Sequence, residues 1–318
     1  MLSLIVPIYK SEENLDRLLA ELTKLQSRLP DPLEVVFVVD GSPDACEQIL
    51  LARLPTLPFR SQLVSLSRNF GSFSAIAAGL EVSSGHYFAV IAADLQEPPE
   101  LIVQFAEALR NDDADIVFGV RASRSDPWLS ELASSTFWGL YRRFVVKDMP
   151  RGGVDIFGCT RGVRDHLLAL HEANTNLIAL LFWLGFRRKF FPYVRQPRRE
   201  GRSAWTFTKK LQYSLNSIFN FTDLPIRFLL AAGLAGSVLA LLAAIIVIVF
   251  RLMGLIDVAG YTAIILTIVF FGGLTTLGLG LIGQYLWLSL QNTRNRPNYV
   301  VRSAVVSEIE AASKENER

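Results

Sequence analysis

The 318-residue chain has few residues of the types that form metal or redox centres: two cysteines, Cys46 and Cys159, and three histidines. Two cysteines are too few for a disulfide framework and are typical of a reducing compartment. The histidines form no HExxH motif and show no zinc-ligand spacing with the cysteines. The sequence therefore indicates neither a structural zinc site nor a zinc hydrolase.

Common phosphate-binding motifs are missing as well. The chain has no GxxxxGK[ST] sequence, and no GxGxxG follows the first predicted strand, so neither a P-loop nor a dinucleotide site is indicated. The N-terminal apolar run is short, is interrupted by Pro7 and lacks a preceding basic region, so we expect no signal peptide. A net charge of +2 gives no reason to expect a nucleic-acid partner.

Charge is absent from two long stretches near the C-terminus. Residues 228–250 and 258–290, which are 23 and 33 residues long, contain no Asp, Glu, Lys or Arg. A transmembrane helix needs about 20 apolar residues. The sequence therefore predicts a domain at 1–204, transmembrane helices at 226–252 and 258–290, and a tail at 291–318.

Basic residues flank the outer ends of both predicted spans, whereas the connection carries only Arg251 and Asp257. The positive-inside rule then predicts a multi-pass protein of the inner (plasma) membrane with its domain and both termini in the cytoplasm. A basic run at 187–210 precedes the first span, where anionic lipid would attract it.

The first 120 residues alternate between apolar strands and amphipathic helices. Predicted strands are 2–8, 33–39, 62–66, 87–92 and 115–120, with helices between them, of which the first has an apolar stripe from Leu15 to Leu25. This order predicts an α/β fold with right-handed crossovers and a mostly parallel sheet.

Polar side chains follow all five predicted strands. They include Tyr9 and Glu12 after the first strand, Asp40 after the second, and groups after the third, fourth and fifth strands: Arg68, Asn69, Asp94, Gln96 and Arg121. Ligands of open α/β sheets bind at this edge. Asp94 is a single acid after an apolar strand, and Mg²⁺ is commonly held by few protein oxygens together with substrate phosphates.

Two amphipathic stretches precede the predicted spans. Apolar residues recur at helical spacing between 129 and 144, and a second stripe lies between Phe207 and Thr222. With Trp128, Trp138 and Trp205 nearby, we expect interfacial helices at 129–147 and 205–225.

Six short stretches form an ordered set of motifs. They are Ile-Val-Pro-Ile-Tyr at 5–9, Val-Asp-Gly-Ser at 39–42, Ser-Arg-Asn-Phe-Gly at 67–71, Ala-Asp-Leu-Gln-Glu-Pro-Pro-Glu at 93–100, Gly-Gly-Val-Asp at 152–155 and Arg-Arg-Glu-Gly-Arg-Ser at 198–203. In this order the chain resembles glycosyltransferase family 2, and within it the polyprenyl-phosphate glycosyltransferases, over nearly its whole length. This group of enzymes includes dolichyl-phosphate mannose synthases and bactoprenol glucosyltransferases.

The resemblance implies a GT-A type, Rossmann-like domain that binds a nucleotide sugar with Mg²⁺ or Mn²⁺. It implies Asp94 as the metal ligand and Asp94 and Asp155 as catalytic residues. The implied nucleotide-sugar site, with Arg121 added from its strand end, consists of Pro7, Tyr9, Glu12, Asp40, Arg68, Asn69, Asp94, Gln96, Arg121, Arg198 and Ser203.

The implied reaction transfers glucose from UDP-glucose to undecaprenyl phosphate with inversion. GDP-mannose, UDP-GlcNAc or an aminoarabinose donor remains an alternative. Three positions depart from the family pattern: Val39 and Ala92 stand where acids are common, and Ala204 replaces a lysine. These departures keep a second alternative open, a catalytically silent scaffold that binds the lipid carrier. Glycines in the spans would permit a homo-oligomer.

Overall fold

The computed structural model describes residues 1–122, 148–150, 153–170, 176–196, 224–253, 260–294 and 296–307. The predicted interfacial helix at 129–147 and nearly all of the one at 205–225 lie outside these ranges. The chain divides into two compact units, Met1–Lys210 with Pro297–Arg318, and Leu211–Arg296.

The first unit is built on one mixed sheet. Its strands are β1 (Leu2–Ile8), β2 (Leu33–Val39), β3 (Arg60–Leu66), β4 (Tyr87–Val90), β5 (Ile116–Arg121), β6 (Val154–Thr160), β7 (Arg188–Tyr193) and β8 (Val301–Ser307). Within the described residues the strand order is β7-β5-β6-β4-β1-β2-β3-β8. The pairs β4-β1, β1-β2, β2-β3 and β5-β7 are parallel, which confirms the predicted α/β fold with a mostly parallel sheet.

Helices cover the sheet and bury the predicted apolar stripes. They are α1 (Leu15–Gln26), α2 (Cys46–Arg53), α3 (Ser72–Val82), α4 (Glu100–Arg110), α5 (Arg161–Ala169) and α6 (Leu177–Trp183). In α1 the five leucines of the predicted stripe are all buried. Both cysteines are buried too, and burial raises the pKa of each thiol to about 12, so they remain protonated.

A buried carboxylate lies at the amino ends of the parallel strands. Glu34 is fully buried and accepts hydrogen bonds from Ser3 Oγ, Gln62 Nε2 (2.9 Å) and Ser84 N (2.9 Å), with Arg60 Nε at 3.3 Å. Burial alone would raise the pKa of Glu34, but these hydrogen bonds outweigh it and lower the pKa. This acid therefore joins three strands at the edge opposite the predicted site.

Strands β6, β7 and β8 were not among the predicted elements. β7 begins in the basic run expected to meet lipid, but its first charges are paired with aspartates: Arg188 Nη2 lies 2.9 Å from Asp148 and Lys189 Nζ lies 2.8 Å from Asp113. The adjacent Arg187 pairs with Asp115 at 2.9 Å. These pairs fix the sheet edge and leave the described part of the run largely neutralised.

The second unit contains two long helices, α7 (Leu224–Leu252) and α8 (Tyr261–Thr293), over the predicted spans. They pack through small residues: a Cβ added at Gly236 would lie 3.6 Å from Phe271, and one at Gly278 would lie 3.5 Å from Leu229. Among the described residues, one helical stretch, Phe270–Gln291, is long and apolar enough to cross a membrane. The prediction of two transmembrane helices is therefore not confirmed.

Strand β8 protects the free edge of β3, although residues 291–318 were predicted only as a tail. It pairs antiparallel with β3, Ser61 facing Ser307 and Val64 facing Ala304. Arg302 also forms an ion pair with Glu47 on α2, and Glu47 accepts a hydrogen bond from Ser65 Oγ of β3 at 2.8 Å.

We predict that truncation after Val300 lowers the melting temperature by roughly 5 °C and increases aggregation, because an unpaired strand edge is exposed and a β-ladder is lost. Differential scanning fluorimetry and size-exclusion chromatography of the detergent-solubilised protein measure both effects. Truncation after Ser307 is the matched control, since it keeps β8. Equal melting temperatures for the two truncations would show that β8 contributes nothing to stability.

Candidate functional site

The parallel strands bring the predicted polar residues to one edge. Ile8 at the end of β1 faces Val39 at the end of β2, and Asp40 N donates to Ile8 O at 2.9 Å. Tyr9 and Asp40 therefore leave the sheet side by side. Tyr9 is 37% exposed, whereas Pro7 is half-buried within β1.

Asp40 is buried, and it organises the loop after β3. Its Oδ1 accepts a hydrogen bond from Phe70 N at 2.7 Å, and its Oδ2 accepts one from Gly71 N at 2.8 Å. Burial raises the pKa of Asp40 more than these bonds and the charge of Arg68 lower it. Both carboxylate oxygens thus hold the 68–71 loop, which shapes the pocket.

Gly41 permits that close approach. Its φ is +56°, and a Cβ there would lie 2.3 Å from the carbonyl carbon of Arg68 and 2.4 Å from Asn69 N. A side chain at position 41 would collide with backbone, so packing requires glycine there. The loop carries Arg68 and Asn69 on its exposed side, and the Arg68 guanidinium lies 4.0 Å from the centre of the Phe70 ring.

Glu12 joins two loops at the rim of the site. Its Oε2 accepts a hydrogen bond from Ala45 N at 3.0 Å, just before α2, and its own N donates to Asp44 Oδ2 at 3.2 Å. Lys10 N in turn donates to Ser42 Oγ at 2.7 Å. The structure therefore places Glu12 at the edge of the sheet where the nucleotide-sugar site is predicted, with its carboxylate contacting protein backbone.

Asp94 lies in a tight turn after β4. Its Oδ1 accepts a hydrogen bond from Gln96 N at 3.3 Å, and Leu95 N donates to Ala92 O at 3.2 Å. Leu95 is buried with φ at +51°, a left-handed conformation that is costly for a leucine and that often occurs at functional sites. The turn keeps Asp94 half-buried at the edge of the sheet.

Asp155 lies within a group formed by three adjacent strands. Arg121 of β5 donates to it through Nε and through Nη2 (2.6 Å), and the Tyr193 hydroxyl of β7 donates to Oδ2. Burial and the Asp155 carboxylate raise the pKa of Tyr193 far above its usual range, so that hydroxyl stays protonated. Burial would lower the pKa of Arg121, but pairing with Asp155 raises it. The Asp155 carboxylate is therefore held in one orientation by donors from the two neighbouring elements, β5 and β7.

Glu97 adds a buried acid that the predicted site did not include. It is 2% exposed, and its Oε2 has no hydrogen-bond partner among the described residues. Burial, then the charges of Asp155 and Asp94, raise the pKa of Glu97 to about 7. The carboxylates of Asp94 and Asp155 are thus close enough to influence Glu97. Glu97 falls inside the recognised 93–100 motif, but nothing in its spacing marks it as buried.

The structure brings most of the predicted site residues to one edge of the sheet, and the roles of these residues stay predictions. Asp94, Gln96, Asp155 and Arg121 lie at one end of the sheet, and the Asp40 and Arg68 loops lie beyond the neighbouring strands. Arg198, Ser203 and Ala204 are outside the described residues. Tyr193 and Arg195 were missed because β7 was not predicted.

A divalent cation at this site would need ligands from the bound substrate in addition to those from the protein. Within the described residues, no three His, Cys, Asp or Glu side chains lie close enough to hold a metal ion together. A half-buried Asp94 fits a Mg²⁺ or Mn²⁺ ion whose remaining ligands are diphosphate oxygens and water. The donor set therefore fits a metal that arrives with a nucleotide sugar.

Comparisons with known proteins show what this chain is similar to. A sequence profile described as Glycosyl transferase family 2 matches residues 3–170. An uncharacterized glycosyltransferase of Synechocystis sp. is 32% identical over 94% of this chain and 94% of its own length. A prophage-derived bactoprenol glucosyl transferase of Shigella flexneri is 30% identical over 95% of this chain and 98% of its own length. Staphylococcus aureus TarS, solved with UDP-GlcNAc, has a TM-score of 0.45 and 19% identity over 70% of this chain and 67% of that one.

We predict that Glu97→Gln stabilises the protein above neutral pH. The folded pKa of Glu97, about 7, exceeds the model-compound value of 4.5, so folding favours the protonated acid. That contribution is complete below pH 4.5 and is lost as the pH rises through 7, a change on the order of 3 kcal/mol. The melting temperature of Glu97→Gln should therefore exceed that of the wild type at pH 8, and the difference should shrink at pH 5. Glu13→Gln, on an exposed carboxylate, is the control, and a difference that does not change with pH would contradict the prediction.

Proposed function

The chain belongs to glycosyl transferase family 2, and within that family we propose that it transfers glucose from UDP-glucose to a polyprenyl phosphate, undecaprenyl phosphate, at the cytoplasmic face of the membrane. The protein is a glycosyltransferase. The observation that carries the proposal is the convergence of Asp94, Gln96 and Asp155 at one sheet edge, in a chain similar to bactoprenol glucosyl transferases over 95% of its length.

The proposed reaction forms one bond and breaks one. An oxygen of the acceptor phosphate attacks the anomeric carbon, the bond from that carbon to the donor diphosphate breaks, and UDP leaves with the electron pair. Attack opposite the leaving group inverts the anomeric configuration. A divalent cation, when bound, would supply electrostatic stabilisation of the departing diphosphate.

The residues of the site fit a reaction without a strong general base. A phosphate monoester has a second pKa of about 6 and is mostly a dianion at pH 7. Asp155 already accepts hydrogen bonds from Arg121 and Tyr193, which fix the orientation of its carboxylate. We therefore assign Asp155 to orienting the sugar and acceptor, and Arg68 and Asn69 to the donor side of the pocket.

The second unit supports action at a membrane. Apolar side chains of α7 and α8 are exposed, including Phe228 (71%), Ile268 (65%) and Leu286 (65%). Exposed apolar surface of this extent is unfavourable in water and favourable in lipid. We propose that both helices span the membrane, with the basic flanks in the cytoplasm, and that protomers associate into a homo-oligomer.

A donor screen tests the function. Membranes containing the full-length protein, supplied with undecaprenyl phosphate, should release UDP from UDP-glucose faster than nucleoside diphosphate from GDP-mannose, UDP-GlcNAc or UDP-aminoarabinose.

We predict that EDTA abolishes release, that Mg²⁺ or Mn²⁺ restores it, and that Asp94→Asn lowers it at least 100-fold with an unchanged melting temperature. Full turnover in EDTA would refute the metal role. Absence of turnover with every donor would favour a lipid-carrier scaffold.

A second variant separates orientation from binding. Asp155→Asn should lower kcat about 100-fold and change UDP affinity less than threefold. The reason is that Asp155 contacts Arg121 and Tyr193, whereas the loops of Asp40 and Arg68 are expected to bind the base. Tyr193→Phe is the matched control: it removes one donor but keeps the Arg121 pair, so its effect on kcat should be smaller. Steady-state kinetics and calorimetric UDP binding measure the two quantities. A wild-type kcat in Asp155→Asn would show that this acid has a purely structural role.

A further inference from the structure

The C-terminal strand β8 reaches the loop 67–71, which we assign to the donor side of the pocket. Ser67 N donates to Val300 O at 2.9 Å, one residue before β8 begins. Asp40 holds the other end of the same loop, through two backbone N–H groups. The loop is therefore fixed at its start by the C-terminal segment and at its end by the loop after β2.

A side chain of β8 also reaches the helix that follows the loop 40–45. Arg302 forms an ion pair with Glu47, which lies in the first turn of α2, and Glu47 accepts a hydrogen bond from Ser65 Oγ of β3 at 2.8 Å. Burial would raise the pKa of Glu47, but the hydrogen bonds from Arg302 and Ser65 outweigh it and lower the pKa. Glu47 is thus an ionised acid that joins α2, β3 and β8.

The helix after the loop 67–71 is held by the same segment. The Tyr299 hydroxyl donates to the Glu81 carboxylate of α3. Burial and Glu81 raise the pKa of Tyr299 above its usual range, so this hydroxyl stays protonated. Residues 299–302 therefore contact β3, α2 and α3, three of the elements that border the two loops.

These contacts restrain the spacing between the two loops. The loop 40–45 continues into α2, and the loop 67–71 continues from β3. A shift of α2 against β3 would move one loop relative to the other. The chain of contacts from Arg302 through Glu47 to Ser65 opposes that shift.

We propose that Arg302 is a positioning residue for the donor: by holding Glu47 of α2 against the β3–β8 ladder, it fixes the spacing of the loops 40–45 and 67–71, between which the nucleoside of the donor binds. The inference rests on the proposed function, because it concerns loops assigned to the nucleotide sugar. It differs from simple edge protection by β8, which would affect stability without affecting donor affinity.

Kinetics of the full-length protein in lipid nanodiscs test the proposal, with undecaprenyl phosphate and UDP-glucose as substrates. Arg302→Ala should raise the donor KM and weaken UDP binding about fivefold, which is the upper limit for an exposed ion pair, with kcat within twofold of wild type. Arg302→Lys should recover part of this loss, because it keeps the charge but not the planar fork.

Arg53→Ala is the matched control. Arg53 lies at the other end of α2, its side chain is as exposed as that of Arg302 (55% against 56%), and it pairs with Asp16 of α1 at 3.0 Å. Its contact does not involve β3 or β8. Donor KM and UDP affinity of Arg53→Ala should therefore equal those of the wild type.

A double variant tests whether Arg302 acts through Glu47. Glu47→Gln removes the charge that binds Arg302 and keeps an acceptor for Ser65 Oγ. Combined with Arg302→Ala, it should weaken UDP binding no more than Arg302→Ala alone, because both changes break the same contact. Additive effects of the two changes would contradict the proposal.

Hydrogen–deuterium exchange gives a readout that does not need turnover. Peptides covering 40–45 and 67–71 should exchange faster in Arg302→Ala than in the wild type, and equally in Arg53→Ala and the wild type. Unchanged exchange, or a lower melting temperature with unchanged donor KM and UDP affinity, would overturn the proposal. A wild type that binds UDP but transfers no sugar would refute the proposed function alone, since UDP affinity and exchange still decide the role of Arg302.

Discussion

The parallel pairing of β1 with both β2 and β4 is the constraint on which the site depends. Leu2–Ile8 lies between these strands, and the residues of all three are almost entirely buried, so polar side chains with a chemical task are confined to the strand ends. Since parallel strands point the same way, their carboxyl ends meet at one edge. Asp40 then uses two backbone N–H groups to draw the loop after β3 to the same edge, and Gly41 permits the contact.

Two buried glutamates show how the opposite edges of this sheet differ. Glu34, at the amino ends, is surrounded by donors from β1, β3 and the loop before β4, and its pKa is lowered despite full burial. Glu97, at the carboxyl ends, has a carboxylate oxygen without a partner among the described residues and a pKa raised to about 7. A satisfied buried acid joins strands together, whereas an unsatisfied one costs stability that a purely structural role would not require. The cost falls beside Asp94 and Asp155, where ligand binding can offset it.

The parts of the fold that the sequence predicted are those determined by local pattern. The first five strands are apolar runs, and α1 and α4 carry apolar stripes, so periodicity located them within a few residues. β7 begins with Arg188 and Lys189, whose charges are matched by aspartates on other elements, and β8 is exposed on both faces and pairs with a strand more than 230 residues earlier. Local pattern cannot show such partners. The same holds in the site: the motifs indicated Asp94 and Asp155, but Glu97, Tyr193 and Arg195 owe their roles to contacts across the sheet.

Charge balance gives a physical reason for one departure from the family pattern. Near Glu97 the described site contains two further carboxylates that raise its pKa, those of Asp94 and Asp155, and two guanidinium groups, those of Arg121 and Arg195. An aspartate at position 92, two residues before Asp94, would add a fourth negative charge next to a buried acid whose pKa its neighbours already raise. With Ala92 the site carries no such additional charge. The Asp94 carboxylate would then hold a metal ion together with phosphate oxygens of the donor, and Glu97 and Asp155 would add negative charge nearby.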